Sequence, residues 1–92
     1  MAQEANRLGL VNQIVPQDQV LKTAKNIARK IASKGAVAIT QALRAIEQGA
    51  DVPLEQGLSI EADAFGTVSA SEDSKEGVQA FLEKRQPNFQ DR

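Results

Sequence analysis

Apolar residues recur at helical spacing along most of this chain, in four segments separated by glycine and proline. In the first segment, Val20, Ala24, Ile27 and Ile31 share one helix face. Glycine and proline interrupt helices, so they mark the segment boundaries. The predicted helices are Gln17–Ser33, Ala36–Gln48, Pro53–Val68 and a last helix that begins with Asp73 as its N-cap and is stopped by Pro87. This spacing predicts a mainly α-helical chain with short turns.

Three residues predict helix ends by their own chemistry. Asp73, with Glu76 three residues later, has the pattern of a capping box, in which each side chain satisfies a free backbone N–H of the first turn. Gly9 follows a short helix over residues 2–8 and suits the left-handed position after a helix. We therefore expect about four helices preceded by a short stub of helix and strand.

The strand part of this stub is the segment Leu10–Val15, "LVNQIV", in which apolar and polar residues alternate. The chain offers no second strand to pair with it, and an unpaired strand leaves its backbone groups open. Either the segment is not a strand, or its partner lies elsewhere and the sequence lacks its beginning. Both alternatives stand at this point. In either case residues 1–92 are expected to form a single helical domain.

Composition excludes several classes of function. The 92 residues carry a net charge of −1 and contain no cysteine and no histidine. Without cysteine the chain has no disulfide and no thiol nucleophile. Without histidine it lacks the side chain that most often serves as a metal ligand or a general base. Glycine-rich phosphate loops and zinc motifs are also absent. We expect no metal, no resident cofactor and no nucleic-acid partner.

Nothing in the sequence predicts contact with a membrane. No apolar run approaches the length of about 20 residues that spans a bilayer, and the first residues lack the apolar core of a signal peptide. We expect a cytoplasmic location. Aromatic residues make up only 3% of the chain, which is little for a small core. This shortage indicates that something outside the chain normally stabilises it.

Three stretches together resemble the C-terminal part of the crotonase superfamily, with enoyl-CoA hydratases as the most similar members. They are "AQEANRLGLVNQIVP" (residues 2–16), "LSIEADAF" (residues 58–65) and "EDSKEGVQAFLEKRQPNF" (residues 72–89). The order and spacing of all three follow the family pattern. The chain departs from it at Gly35 or Ala36, where the family often has proline, and at Ser69 and Ala70, where larger residues are common.

The resemblance implies a helical region of the crotonase fold that serves in trimer formation and as a lid. The parent enzyme would hydrate 2-enoyl-CoA to 3-hydroxyacyl-CoA in fatty acid metabolism, although isomerase and dehydratase reactions stay open. In the family, the catalytic glutamates and the oxyanion-hole loops precede everything present here. The resemblance thus implies a C-terminal fragment that has no catalytic residue and is inactive alone. Its implied partners are further copies of itself as a dimer or trimer, the missing N-terminal domain, and acyl-CoA in the parent enzyme.

The resemblance also implies a binding role for Phe81 and Lys84. In the family, the matching residues lie near the adenine and phosphates of coenzyme A bound to a neighbouring subunit. An aromatic face stacks on adenine, and an ammonium group serves as a point charge for phosphate. With equal weight, Phe81 could be a core residue and Lys84 a solvated one. For Phe89, after Pro87, we expect an anchoring role in the tail.

Glu61 falls on the apolar stripe between Leu58 and Phe65. We interpret it as a buried structural glutamate that is hydrogen-bonded to a neighbouring group. For the chain as a whole, the alternative to an enzyme part is a free-standing helical interaction module without catalysis.

Overall fold

The computed structural model describes all residues from Met1 to Arg92 and contains helices but no strand. The predicted mainly α class is confirmed. No helix has both the length and the apolar character needed to cross a bilayer. In chain order the elements are α1 (Ala2–Arg7), a 3₁₀ turn (Gln17–Gln19), α2 (Val20–Ala32), α3 (Ala36–Gly49), α4 (Leu54–Ser69) and α5 (Glu72–Leu82).

The chain divides into two compact units, Met1–Lys30 and Ile31–Arg92. The first unit contains α1, the 3₁₀ turn and most of α2. Helix α1 ends as predicted at Gly9, whose φ of 83° lies in the left-handed region. The Gly9 N–H donates to the Asn6 carbonyl and the next N–H donates to the Ala5 carbonyl, at 3.1 and 2.9 Å. These two bonds define a Schellman motif. The prediction of a single domain over residues 1–92 stays a prediction.

The strand predicted for Leu10–Val15 is wrong for this chain. The backbone there is irregular and makes no ladder. The physical reason is that a strand needs a partner for its backbone N–H and C=O groups, and this chain provides no second strand. The alternating pattern favours an extended backbone without supplying the pairing that makes a strand.

In the second unit, α3 and α4 pack closely through small residues. The two helices approach each other at Gly49 and Gly57, where a Cβ atom added to Gly57 would lie 3.8 Å from the Gly49 Cα atom. Larger side chains at this point would push the helices apart. Ala64 and Ala80 are the only buried hydrophobic residues of the chain, and no large side chain is fully buried. The backbones of α3 and α4 thus come close together, but their contact buries little apolar area.

The N-cap of α5 lies two residues before the predicted one, so the Asp73–Glu76 capping box is wrong. Ser71 is the N-cap, and its hydroxyl oxygen accepts a hydrogen bond from the Ser74 N–H at 3.1 Å. Asp73 lies in the first turn and is buried. Its carboxylate is not free to cap because it accepts hydrogen bonds from the end of the chain. Glu76 pairs with Arg85 instead.

Residues 87–92, which we call the C-terminal strap, fold back onto the start of α5. The Asp73 carboxylate accepts backbone N–H groups from Gln90, Asp91 and Arg92, at 2.7, 2.8 and 3.3 Å. In return, the Asp73 N–H donates to the Arg92 carbonyl at 2.8 Å. Phe89 is half-buried, and its ring lies against Gly77. The predicted anchoring role of Phe89 is confirmed.

Gly35 is the N-cap of α3 and is buried beside Asp73. A Cβ atom at position 35 would lie 3.1 Å from the Asp73 Oδ2 atom, which two strap amides hold in place. We therefore expect Gly35→Ala to lower the free energy of unfolding by about 1–2 kcal/mol, since the carboxylate cannot move without losing those bonds. Urea denaturation followed by circular dichroism measures this change.

Gly66→Ala is the matched control for this substitution. Gly66 lies inside α4, and a Cβ atom there would meet nothing within 4 Å. Alanine has the higher helix propensity, so this variant should gain about 0.5–1 kcal/mol. Equal changes in the free energy of unfolding for the two substitutions would show that the close approach of Gly35 and Asp73 does not affect stability.

Candidate functional site

The two residues predicted to bind coenzyme A both lie at the C-terminal end of α5. Phe81 is in the last turn of the helix and is 82% exposed. Lys84 follows two residues after the helix and is also exposed. Phe81 is therefore not part of the core of this chain. The aromatic ring and the ammonium group are both accessible to a ligand, and their contact with coenzyme A stays a prediction.

Helix α5 ends in a second Schellman motif, with Lys84 at the left-handed position. Its φ is 56°, its N–H donates to the Phe81 carbonyl at 3.2 Å, and the Arg85 N–H donates to the Ala80 carbonyl at 3.0 Å. This motif ends the helix at Leu82, so the prediction that Pro87 stops it is wrong. A lysine in this conformation costs about 1 kcal/mol relative to glycine. The turn sets the direction in which the lysine leaves the helix.

The neighbouring cation, Arg85, is held within the chain. Its guanidinium group forms ion pairs with Glu76 and Glu83, at 2.6 and 2.5 Å. Hydrogen bonds to Glu76 and then to Glu83 raise the pKa of Arg85 further above its usual value. The amide of Gln79 and, after it, Arg85 lower the pKa of Glu83. Arg85 is thus balanced by two carboxylates, whereas the side chain of Lys84 forms no ion pair or hydrogen bond. Lys84 is the cation available to an anion at this end of α5.

A second candidate feature is an apolar groove of about 860 Å³ between α3 and α4. Alanine, glycine, leucine, isoleucine, valine and phenylalanine form most of its lining, and Gln41 and Glu61 are the polar exceptions. Leu58 and Phe65, on the α4 side of the groove, are 54% and 71% exposed. The Gln41 Oε1 atom is buried without a hydrogen-bond partner. The groove can accept an apolar group but has only one carboxylate, so it lacks the two converging groups of an acid–base pair.

The prediction of a buried, hydrogen-bonded Glu61 is wrong for this chain. Glu61 is exposed at the groove and forms no hydrogen bond or ion pair. The physical reason is that α3 and α4 leave the groove open on the side where Glu61 lies. The apolar stripe is present as predicted, but it faces an open surface instead of a core.

Sequence reasoning missed the part that Asp73 plays. A serine directly before two acidic residues, Glu72 and Asp73, is a signal that could have identified Ser71 as the cap. No local signal indicates the bonds of Asp73 to the strap, because its partners are backbone groups 17 to 19 residues further along the chain.

Comparison with known proteins identifies the family. The family model described as enoyl-CoA hydratase/isomerase matches residues 1–92. The chain belongs to the enoyl-CoA hydratase/isomerase family. Crotonyl-CoA hydratase of Syntrophomonas wolfei is 47% identical over 88 residues, which are 96% of this chain and 34% of that protein. 2,3-Dehydroadipyl-CoA hydratase of Escherichia coli is 40% identical over 91 residues, which are 99% of this chain and 36% of that protein.

The fold also matches this family. The crystal structure of an enoyl-CoA hydratase from Bacillus anthracis superposes with a TM-score of 0.94 at 43% identity, over 99% of this chain and 35% of that one. The chain spans about a third of the length of these relatives, and it corresponds to the C-terminal part of the crotonase fold. The resemblance predicted from the sequence is confirmed, as is the region of the fold to which it was assigned.

The left-handed backbone at Lys84 generates a stability prediction. Lys84→Gly should raise the free energy of unfolding by about 1 kcal/mol, because glycine adopts this conformation without strain. Lys75→Gly, in the interior of α5, is the control and should lower it by about 1 kcal/mol. Urea denaturation of both variants measures the difference. A loss of stability in both variants would contradict the left-handed assignment of residue 84.

Proposed function

We propose that this chain acts as the C-terminal helical part of an enoyl-CoA hydratase-like enzyme, which hydrates 2-enoyl-CoA to 3-hydroxyacyl-CoA. In this role the helices supply contacts between subunits, cover the acyl pocket and bring the end of α5 near coenzyme A. The observation that carries the proposal is the match to the family over the whole chain, combined with the large apolar surface that the chain leaves open.

The open surface has a magnitude that can be compared with folded proteins in general. The chain exposes 7703 Å², whereas a folded monomer of 9.9 kDa exposes about 5,200 Å². The excess of about 2,500 Å² is roughly three times the 800 Å² that one partner buries in a standard interface. An excess of this size supports contacts with more than one partner surface. The remainder of the enzyme and a neighbouring subunit are the two surfaces that we propose.

The groove between α3 and α4 suits a lid over an acyl chain. Its lining is almost entirely apolar, so it would exclude water from an acyl group and gain free energy from the apolar area that it covers. The single carboxylate in it, Glu61, has no acid or base partner there. We therefore assign the acid–base chemistry of hydration to groups outside these 92 residues.

The end of α5 suits the other end of the substrate. Lys84 offers an ammonium group without a partner, and Phe81 offers an exposed aromatic ring in the turn before it. A phosphate and an adenine are the complementary groups, and coenzyme A carries both. Hydratase chemistry is favoured over isomerase and dehydratase chemistry by the names of the relatives, which are hydratases.

A chimera tests the proposed function. This chain would replace the matching 88 residues of the Syntrophomonas wolfei crotonyl-CoA hydratase, to which it is 47% identical. We expect the chimera to hydrate crotonyl-CoA and the isolated chain to show no turnover, as followed by loss of the absorbance of the conjugated thioester. Turnover by the repurified isolated chain would contradict the proposal. An inactive but folded chimera would also contradict it.

In the same chimera, Lys84→Gln examines the coenzyme A contact, and Lys75→Gln serves as the matched control. Both lysines are exposed cations without ion-pair partners, but Lys75 lies nearer the start of α5. An exposed cation–phosphate contact contributes about 0.2–1 kcal/mol, so Lys84→Gln should raise KM a few-fold and leave kcat nearly unchanged. The control should change neither. A large fall in kcat at constant KM would show that Lys84 has a different role.

The isolated chain should self-associate as a dimer or trimer, because its exposed apolar side chains would otherwise remain in water. Leu43, Ile46, Leu58 and Phe65 on α3 and α4 are each more than half exposed. Sedimentation equilibrium over a hundredfold range of concentration is the measurement. A single monomeric species with a melting temperature independent of concentration would contradict self-association.

A further inference from the structure

The strap connects the start of α5 to the start of α3 through two aspartates. Asp73 holds three strap amides, and the strap residue Asp91 in turn accepts the Ala36 N–H with its Oδ1 atom at 3.1 Å. Ala36 is the first residue of α3, whose N-cap, Gly35, has no side chain that could bond to the free amides. Asp91 therefore caps α3 from a position 55 residues away in sequence.

The electrostatic setting favours both carboxylates. Asp73 lies in the first turn of α5, and Asp91 lies at the first turn of α3. The free N–H groups at a helix N-terminus carry a partial positive charge that attracts an anion. The strap thus places the charge of Asp91 at the start of α3, while Asp73 supplies a negative charge at the start of its own helix, α5. Arg92 adds an ion pair to Glu72 at 3.0 Å on the exposed side.

The backbone of the strap is shaped for these contacts. Asp91 has a φ of 61°, a left-handed conformation that aspartate adopts more readily than most residues. It orients the Asp91 N–H toward Asp73 and the Asp91 carboxylate toward Ala36. One residue thereby makes contact with both helices.

We infer that Asp73 and Asp91 form a latch that fixes the orientation of α5 relative to α3, and that they are thereby positioning residues for Phe81 and Lys84 at the other end of α5. Apolar packing gives α5 limited support. Ala80 is buried, but Val78, Phe81 and Leu82 are 60%, 82% and 71% exposed. Besides Ala80, Phe89 against Gly77 and the contact of α5 with α4, the hydrogen bonds of the strap tie α5 to the start of α3. The positioning of the ligand-binding end rests on the proposed function, whereas the latch itself does not.

The first test measures the latch directly, without any ligand. The chain contains no cysteine, so Arg44→Cys on α3 and Lys75→Cys on α5 provide two unique sites for spin labels. The labelled chain is diluted into an excess of unlabelled chain, so that self-association adds no distances between labelled copies. Pulsed electron–electron double resonance should then give one narrow distance distribution in the otherwise unaltered chain. Asp91→Ala should broaden it, because α3 loses its cap and the strap loses its contact with Ala36.

Asp91→Asn is the matched rescue variant. Its side-chain oxygen can still accept the Ala36 N–H, so the narrow distribution should be retained. Amide hydrogen exchange supplies an independent measure: protection at Ala36 should be lost in Asp91→Ala and kept in Asp91→Asn. Asp73→Ala removes all three strap contacts and can unfold the second unit, and for this reason the milder Asp91 pair decides the question. A narrow distribution in Asp91→Ala would overturn the latch.

The second test uses the chimera and concerns positioning. Asp91→Ala should raise KM for crotonyl-CoA about threefold with little change in kcat, and Asp91→Asn should leave both unchanged. A merely structural role would lower the amount of active enzyme, and hence apparent kcat, without changing KM. An unchanged KM in an active Asp91→Ala chimera would overturn the positioning role while the proposed function stands. An inactive chimera of the unaltered chain would count against the proposed function. The distance measurement would then be the test of the latch.

Discussion

The arrangement of the second unit depends on the hydrogen bonds between the buried carboxylate of Asp73 and the strap. It accepts three backbone N–H groups from the strap and lies 3.1 Å from the place where a side chain at Gly35 would begin. A carboxylate that is removed from water needs hydrogen-bond donors to offset its lost hydration. Here those donors come from the last residues of the chain, so burial of Asp73 and ordering of the strap require each other. The small residue at position 35 is a consequence, because it leaves room for the carboxylate.

Polar contacts have this weight because the chain has little hydrophobic core of its own. Two alanines are its only buried hydrophobic residues, and larger apolar side chains are exposed along α3, α4 and α5. Apolar side chains stabilise a fold only when they leave water, and in this chain most of them have nothing to pack against. The low aromatic content of the sequence led to the expectation of an outside partner, and the exposed apolar side chains are the surface that the proposed partners would cover.

Local sequence patterns predicted the helices well and the long-range contacts poorly. The helical spacing of apolar residues located α2 to α5, and Gly9 marked the end of α1, because each of these signals acts within one or two turns. The strand at "LVNQIV" failed because a strand is defined by a partner that the local pattern does not contain. Glu61 failed for a similar reason, since an apolar stripe does not specify whether another element covers it.

The two ends of α5 show the same limit in the candidate site. Family resemblance proposed Phe81 and Lys84 as coenzyme A contacts, which stays a prediction. The left-handed backbone of Lys84 had no sequence signal, because glycine is the usual residue at that position. Aspartate is a residue type that often caps helices, so the sequence suggested this role for Asp73. Only the path of the strap shows that its carboxylate accepts hydrogen bonds from the end of the chain instead. Assigning it correctly requires knowing where residues 90–92 lie, which is a property of the tertiary structure.

These features together make α5 a helix that is held at one end and open at the other. At its start, Ser71 caps it and the strap ties it to α3. At its end, a Schellman turn and the carboxylates around Arg85 complete the local bonding without engaging any distant residue. A helix that is fixed at its base can project an aromatic ring and a free ammonium group toward a molecule outside its own chain with a defined direction. The pairing of Arg85 within the chain contributes to this arrangement, because it leaves Lys84 as the unpaired cation for the phosphate contact that we propose.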